Sequence, residues 1–286
     1  MTAEIGAFLG ILGLAAAQSA PATPAPQPAS PRRIECVAPM GEGFVFTDTN
    51  GCCLWTVKPG EPAKILVRGK AWPREPLWRP SGIAFDPSGG LVVTDPPTGG
   101  LYSIKVDGTY GQIDAPFEIG QPRGLVFDKE GNLFVAGSTV DAVYRRGTDG
   151  KWAKFADVKH PRGLALLPDG SLLVTSMGER AVFKVSADGK TVAPLHKGPP
   201  FENPNWIAFD GAGTAFVTDN YVRAVFKLPV AGGEPTPLVK GPPLDNPAGL
   251  WFDAAGKRLI LADAVTKTIY AVAEDGKLTT LYQAPK

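Results

Sequence analysis

Two arginines stand in the same local context, each directly after a proline that opens a run of strand-forming residues: Arg123 in PRGLVF and Arg162 in PRGLAL. The planar guanidinium group binds carboxylates and phosphates through two parallel hydrogen bonds, so converging arginines suit an anionic ligand. Candidate ligand-binding residues stand at these two positions, beside them, or in the corresponding parts of the neighbouring segment. They are Arg123, Arg162, His160, Asn203, Asn205, Asp219 and Tyr221. In the alternative interpretation the arginines bond backbone carbonyls or a neighbouring aspartate and serve structure alone.

The composition narrows the classes of chemistry. The 286-residue chain carries a formal net charge of +1 and two histidines. A zinc or iron enzyme needs clustered His, Cys or carboxylate ligands, and the sequence has no such cluster. It also has no basic block of the kind that neutralises nucleic-acid phosphates. We therefore expect a small molecule or a protein as partner, no nucleic acid, and a monomeric chain; the sequence assigns no catalytic residue.

The elements that position these residues recur with a period near 40. Five segments open on a proline, spaced 39 to 43 residues apart, and a glycine follows nine residues after each of them. The five prolines are Pro80, Pro122, Pro161, Pro204 and Pro247. Short apolar runs separated by Asp-Gly and Gly-Gly turns predict four strands in each unit. Such repeats are typical of propeller blades, which bury both faces of their sheets only against neighbouring blades.

A sixth, degenerate unit precedes these five. FVFTD ends at Asp48, and Trp55 stands where the repeat places an aromatic residue, but IECVAP replaces the Pro-x-Gly opening. We predict an all-β, six-bladed propeller of four-stranded antiparallel blades over residues 33–286; five blades with an irregular extension is the alternative. In a propeller the loops entering the inner strands and the loops after the second strands meet at one mouth of the channel. That geometry would bring the candidate residues together at this mouth.

The amino terminus is expected to lie outside this domain. Residues 1–20 form a signal peptide-like segment around an uncharged apolar run of 13 residues from Ile5 to Ala17, which is too short to span a bilayer. Residues 21–32 are a Pro/Ala-rich linker. We expect a periplasmic or secreted protein, with an uncleaved N-terminal anchor as the alternative and no further transmembrane span.

Three cysteines fall in the degenerate unit: Cys36, Cys52 and Cys53. An odd number outside the cytoplasm suggests one disulfide and one free thiol. A bridge from Cys36 to either neighbour would staple the first blade, and a vicinal Cys52–Cys53 bond is the sharper alternative. Buried free thiols remain open as well, and the pairing is left undetermined.

The units resemble NHL repeats. The resemblance rests on the Pro-Arg-Gly-Leu-x-Phe-Asp opening at Pro122, on the valine-rich second strand and on the arginines Arg180 and Arg223 that enter the third strand. It covers nearly all of residues 33–286 and implies the propeller architecture. It does not imply one activity, because this repeat serves scaffolds, ligand binders and enzymes.

A more distant similarity is to the gluconolactonase and senescence-marker group of calcium-dependent hydrolases, carried by IECV, by GEG and by Asn205. That resemblance implies a calcium site formed by Asn205, Glu42 and, as a substitute ligand, Asp219. The chain departs from the group's pattern, since Ala248 stands at the position of the catalytic aspartate and Arg123 near that of another ligand. Calcium is the cofactor that this similarity suggests.

Two main hypotheses follow. The first is an exported propeller that binds a small, anionic ligand or a protein partner at the channel mouth. The second is a calcium-dependent lactonase, which chelation would inactivate. A scaffold that uses its blade edges or outer faces is a third class, for which mouth substitutions such as Arg123→Ala would change nothing.

Overall fold

The computed structural model describes residues 30–69, 77–115 and 117–285. Within these ranges the chain forms 24 β-strands and one short 3-10 helix, Pro96–Thr98. The strands are, blade by blade, β1 Ile34–Met40, β2 Gly43–Asp48, β3 Cys53–Val57 and β4 Lys64–Arg68; β5 Ile83–Phe85, β6 Leu91–Asp95, β7 Gly100–Ile104 and β8 Tyr110–Gln112; β9 Pro122–Phe127, β10 Leu133–Gly137, β11 Ala142–Arg146 and β12 Trp152–Asp157; β13 Pro161–Leu166, β14 Leu172–Ser176, β15 Ala181–Val185 and β16 Val192–Lys197; β17 Pro204–Phe209, β18 Thr214–Asp219, β19 Ala224–Pro229 and β20 Thr236–Lys240; β21 Pro247–Asp253, β22 Arg258–Asp263, β23 Thr268–Val272 and β24 Leu278–Gln283.

Each blade is an antiparallel sheet of four strands that are consecutive in sequence. The first strands of neighbouring blades contact one another, so they surround the central channel, and β1 closes the ring against β21 and β22. The six-bladed prediction is confirmed, including the degenerate first unit. Ile34 pairs with Asp48 in the same register in which Pro204 pairs with Asp219, so Ile34 replaces the repeat's proline.

The inner strands pack so closely that the glycine of the Pro-x-Gly opening is required. A Cβ atom on Gly163 would lie 2.8 Å from the backbone nitrogen of Ile207, and one on Gly124 would lie 2.3 Å from the carbonyl oxygen of Arg162. Neither position has space for a side chain. Cys36 and Trp206 occupy the matching position in the first and fifth blades, where the junction with the next blade admits one.

Buried threonines join neighbouring blades across this inner ring. Thr175 shows the arrangement: its Oγ1 accepts a hydrogen bond from the Gly163 N–H at 2.8 Å and donates to the Asn205 carbonyl of the next blade at 2.6 Å. We call each such bridge a threonine clasp. The four clasps are formed by Thr47, Thr94, Thr175 and Thr218. Ala136 and Ala262 stand at this position in the third and sixth blades, so the junctions of blade three with four and of blade six with one have no clasp.

The hydrophobic core lies between blades. The second strands are almost entirely buried, whereas the fourth strands, such as β12 and β20, alternate towards solvent. One cluster packs Leu173 of the fourth blade against Val217 and Phe226 of the fifth. Because apolar residues alternate along each strand and cover both faces, every blade needs two neighbours to bury its core.

The three cysteines are free, buried thiols. A bridge from Cys36 to Cys52 or Cys53 is not formed, because β2 lies between the strand that carries Cys36 and the start of β3. The two segments are therefore two strand spacings apart, or about 10 Å, which is beyond the reach of a disulfide. Cys36 and Cys53 also lie in hydrophobic clusters on opposite faces of the sheet. The Cys53 thiol instead donates to the carbonyl of Gly51 at 3.0 Å.

The signal peptide-like segment 1–20 and most of the 21–32 linker lie outside the described residues, so those expectations stay predictions. Within the part of the chain that the structure describes, no helix is long and apolar enough to cross a membrane.

Candidate functional site

One position in each inner strand forms a ring at the channel mouth. In five blades it is the residue directly after the strand's first residue, which pairs with the end of the second strand. In the second blade the matching residue is Ser81, two residues before β5, whose backbone N–H donates to the Thr94 carbonyl at 2.8 Å. The ring consists of Glu35, Ser81, Arg123, Arg162, Asn205 and Ala248. The structure thus brings the predicted Arg123, Arg162 and Asn205 together, and it adds Glu35. Sequence reasoning missed Glu35 because the first blade lacks the proline; counting back from Asp48 would have found it.

The two arginines of the ring are incompletely satisfied. Both side chains are half-buried, and the Nε atoms of Arg123 and Arg162 are buried without a hydrogen-bond partner. The Arg123 Nη2 donates to Gln121 Oε1 at 3.3 Å, and the Arg162 Nη2 contacts the Met177 sulfur at 3.2 Å. These contacts differ from the structural alternative, in which the arginines bond backbone carbonyls or a neighbouring aspartate.

Desolvation sets the electrostatics of the pair. Burial, followed by the positive charge of Arg162, lowers the pKa of Arg123 to about 10. Burial also lowers the pKa of Arg162. Both groups stay protonated at neutral pH, so the mouth holds two neighbouring cations that have lost part of their hydration. An anion placed between them would restore that lost stabilisation.

The carboxylate of Glu35 partly compensates the positive charges of the two arginines. Its Oε2 accepts from Arg33 Nε at 3.2 Å, and Arg33 Nη2 reaches Asn246 Oδ1 at 3.3 Å. The Glu35 carboxylate is therefore engaged by a third guanidinium. Burial lowers the pKa of Arg123 and of Arg162, and the negative charge of Glu35 partly opposes that fall. Around the ring, Arg33, Arg123 and Arg162 set three positive charges against this carboxylate. At the ring the arginines outnumber Glu35, while the buried carboxylates of Asp48, Asp95, Asp219 and Asp263 stand at the same end of their blades.

Further donors near the ring have no acceptor. The Ser81 Oγ and the Trp206 Nε1 are buried without a partner. Asn205 is 7% exposed, and its side-chain amide makes no hydrogen bond to another described residue. Trp206 packs in a hydrophobic cluster between blades, whereas Ser81 belongs to the ring with Arg123 and Arg162. Buried polar groups are ordinarily paired with protein or ordered water, so the three unpaired groups of the ring make it a candidate binding site.

The other predicted residues lie around this ring and do not form part of it. His160 is exposed, has a positive φ of 41°, and its N–H donates to Asp141 Oδ1 at 2.9 Å. Asn203 donates through Nδ2 to Asn220 Oδ1 at 2.7 Å. Tyr221 is 75% exposed on the loop after β18. These three residues lie on the rim of the mouth.

Asp219 is a structural clamp. Its fully buried carboxylate accepts four backbone N–H groups: those of Glu202 and Asn203 at 2.8 Å, of Tyr221 at 3.1 Å and of Val222 at 3.2 Å. It thereby ties the connection between two blades to the loop after β18. Asp48, Asp95 and Asp263 clamp their own connections in the same way. With its oxygens engaged, the predicted ligand Asp219 is not available to a metal in this arrangement.

Glu42 lies at the wrong end of the molecule for the predicted site. It stands in the turn between β1 and β2, whereas the ring lies where β1 begins, so the length of the strand separates them. Its exposed carboxylate pairs with Lys58 Nζ at 2.9 Å. The degenerate opening of the first blade has no proline to set the register of Glu42, and the structure does not bring Glu42 together with Asn205.

The mouth residues do not fit a calcium ion. Calcium takes six to eight oxygen ligands, usually with several carboxylates. The ring offers the amide of Asn205 and the already paired Glu35, and it places the charges of Arg123 and Arg162 beside them. Among the described residues there is no group of three or more His, Cys, Asp or Glu arranged to hold a metal ion. We derive no chemistry through calcium.

The fold and the site together define a six-bladed β-propeller with two half-buried arginines at its channel mouth. No model of a known protein family matches the chain, and no curated protein matches it. Among solved structures it is similar to virginiamycin B lyase from Staphylococcus aureus, at 14% identity over 88% of this chain and 84% of that chain, with a TM-score of 0.68.

Two other solved structures share the architecture. A chain of the nidogen/laminin complex is 20% identical over 85% of this chain and 96% of that chain, with a TM-score of 0.72. A gluconolactonase from Xanthomonas campestris is 19% identical over 82% and 84%, with a TM-score of 0.68. Identities this low establish a common fold. They carry no activity across, since these proteins differ in function.

Proposed function

We propose that this protein is an exported binding propeller that holds a small anionic molecule at the channel mouth through Arg123 and Arg162. The observation that carries the proposal is the pair of half-buried guanidinium groups whose Nε atoms have no partner. Unpaired buried donors on a charged group are costly, so a fold retains them where a ligand supplies the acceptors.

The chemistry of the mouth favours a carboxylate or a phosphate. Each guanidinium presents donors in a fixed fork that matches two oxygens of such a group. The Asn205 amide and the Ser81 hydroxyl lie on the same ring and can bond the rest of the ligand. Catalysis is not part of the proposal, because the ring offers no nucleophile paired with a base and Ala248 is inert.

The rival hypothesis is a lactonase, for which the similarity of fold to the Xanthomonas gluconolactonase is the support. Against it stand the displaced Glu42, the saturated Asp219 and the two cations at the mouth. An anion site without a metal explains the presence of both arginines in the ring, and a calcium centre does not. Export rests on the N-terminal sequence alone, and N-terminal sequencing of the chain recovered from the periplasm of a bacterial host would test it.

The experiment for the binding function is calorimetric titration of residues 30–286 with citrate and with inorganic phosphate. Arg123→Gln and Arg162→Gln remove one cation each. Arg180→Gln is the matched control, since Arg180 is an exposed arginine that pairs with Glu202 at 2.8 Å away from the ring. Loss of a charge-assisted bond of about 1.5–3 kcal/mol predicts a roughly 10- to 100-fold weaker Kd for each ring variant.

The expected result is binding by the wild type and by the Arg180→Gln control, with loss in both ring variants. Equal binding by all four proteins would show that the anion is held elsewhere. No binding of either anion by the wild type at millimolar concentration would remove the support for an anion site at the mouth.

A further inference from the structure

The connection between the second and third blades differs from those that carry a clamp. In blades one, two, five and six an aspartate at the end of the second strand accepts the two N–H groups that precede the inner strand. Gly137 holds this position in the third blade, since it pairs with Pro122. A glycine has no side chain with which to clamp the connection.

Without a clamp, part of the backbone of this connection is unpaired. The Gln121 N–H donates to Thr139 Oγ1 at 3.1 Å. None of the backbone N–H or carbonyl groups of residues 117–120 makes a hydrogen bond to another described residue. At the fourth-to-fifth connection, by contrast, the N–H groups of Gly198, Phe201, Glu202 and Asn203 are all bonded. Phe117 and Glu118 are exposed, whereas Ile119 and Gly120 are buried. Unpaired peptide groups that border open space are available to a ligand.

These groups line a cavity of about 440 Å³ on the mouth side of the propeller. Its walls include residues 96–100, residues 117–121 and Thr139, and Gln112 of the outermost strand β8 also borders it. At its inner end, Gln121 contacts the guanidinium of Arg123. Because inner strands surround the channel and fourth strands form the outer edge of the propeller, the cavity runs radially outward from Gln121 towards β8. We call it the radial groove.

We propose that the radial groove binds the body of an elongated ligand in which a carboxylate is joined to a secondary amide. This inference rests on the proposed function and extends it: the carboxylate lies at Arg123 and Arg162, and the amide extends outward along residues 117–120. A secondary amide presents one donor and one acceptor, which complements a backbone segment with free N–H and carbonyl groups. N-acyl amino acids and the C-terminal ends of peptides share this chemistry.

The test compares probes that differ in one group each. N-acetylalanine carries the carboxylate and one amide, and acetyl-trialanine extends it by two residues. The acid 4-methylpentanoate has no amide, and N-acetylglycine, its amide-containing counterpart, controls for the α-methyl group of alanine. The carboxamide of acetyl-trialanine removes the charge. Two additional hydrogen bonds predict that N-acetylalanine binds about tenfold or more tightly than 4-methylpentanoate, and that the carboxamide binds at least about tenfold more weakly than its acid. A further gain for acetyl-trialanine would identify a peptide end as the source.

Matched variants locate the body of the ligand. Gln112→Trp fills the outer end of the radial groove, and Thr280→Trp makes the same change at the equivalent register position of the sixth blade. Both sites lie on exposed outer strands, and thermal melting checks that each variant folds. We expect Gln112→Trp to weaken acetyl-trialanine at least about fivefold and to leave citrate unchanged, with Thr280→Trp like the wild type.

The two proposals fail differently. If citrate, phosphate and all acid probes fail to bind, the anion site itself is absent. If the simple anions bind through Arg123 and Arg162 but the amide probes bind no more tightly than 4-methylpentanoate, the mouth site stands and the radial groove proposal is overturned. Unchanged acetyl-trialanine binding in Gln112→Trp, together with a gain from its extra residues, would also overturn it.

Discussion

Replacing Arg123 by glutamine should make the ligand-free protein more stable. The reason is the direction of the pKa shift: the Arg123 pKa falls from its ordinary value of 12.5 to about 10 on folding. A folded-state pKa below the unfolded one means that the protonated group destabilises the fold at every pH below about 10. The penalty fades only as the pH rises past that value, because the folded state then releases the proton first.

The magnitude follows from the same shift. A fall to about 10 corresponds to roughly 3 kcal/mol. Because Arg123 is only half-buried, solvent screening reduces this, and we take about 1–2 kcal/mol. Glutamine is uncharged and retains part of the aliphatic packing. For a chain of this size, that gain corresponds to a rise in Tm of roughly 2–8 °C.

The assay is thermal unfolding of residues 30–286 followed by circular dichroism at pH 7 without added anion. The control Arg180→Gln breaks an exposed ion pair and should change stability by at most about 1 kcal/mol, in the destabilising direction. Adding a ligand that occupies the mouth should reverse the order, since only the wild type gains stability by mass action. A lower Tm for Arg123→Gln than for the control would refute the reasoning and show that the guanidinium is satisfied in the native protein.

Three further outcomes are expected. Asp219→Ala leaves four buried N–H groups without an acceptor and should lower the free energy of unfolding, measured by chemical denaturation, by about 3–5 kcal/mol. The control Asp210→Ala, at an exposed turn of the same blade, should lower it by about 1 kcal/mol or less. Equal losses of stability in the two variants would contradict the clamp. EDTA and added calcium should both leave Tm unchanged, and a calcium-dependent rise would contradict the misfit of the mouth. Burial raises the pKa of Cys36 and of Cys53 to about 12. Both thiols should therefore stay unlabelled by iodoacetamide at pH 8 until the protein unfolds, as measured by mass spectrometry. Rapid labelling of the native protein would contradict their burial.

The architecture was predictable because it depends on regular spacing. Proline, glycine and turn signals recur at fixed intervals, and any protein with this period must stack its sheets. The register fails only where the repeat is altered. In the third blade Gly137 stands at the position of the clamping aspartate, so this blade has no clamp.

The site was predictable only in part, since chemistry depends on what surrounds a residue. The positions of Arg123 and Arg162 followed from the repeat, but their unpaired Nε atoms are visible only in three dimensions. The role of Asp219 was misread for the same reason: a carboxylate at a channel mouth resembles a metal ligand until its four N–H partners are seen. Glu42 was misplaced because a degenerate first blade offers no anchor for alignment.

The distribution of threonine clasps divides the propeller into two halves. Thr47 and Thr94 join the first three blades, Thr175 and Thr218 join the last three, and the two boundaries between these groups hold alanine instead. One boundary is where the ring closes on itself; the other falls midway along the domain. A cut in the connection at residues 158–160 would thus produce two triplets of similar length, each keeping its own cross-links. Such fragments are natural candidates for reassembly, and because Arg123 and Arg162 lie on opposite sides of the cut, a shared anion would report when the halves rejoin.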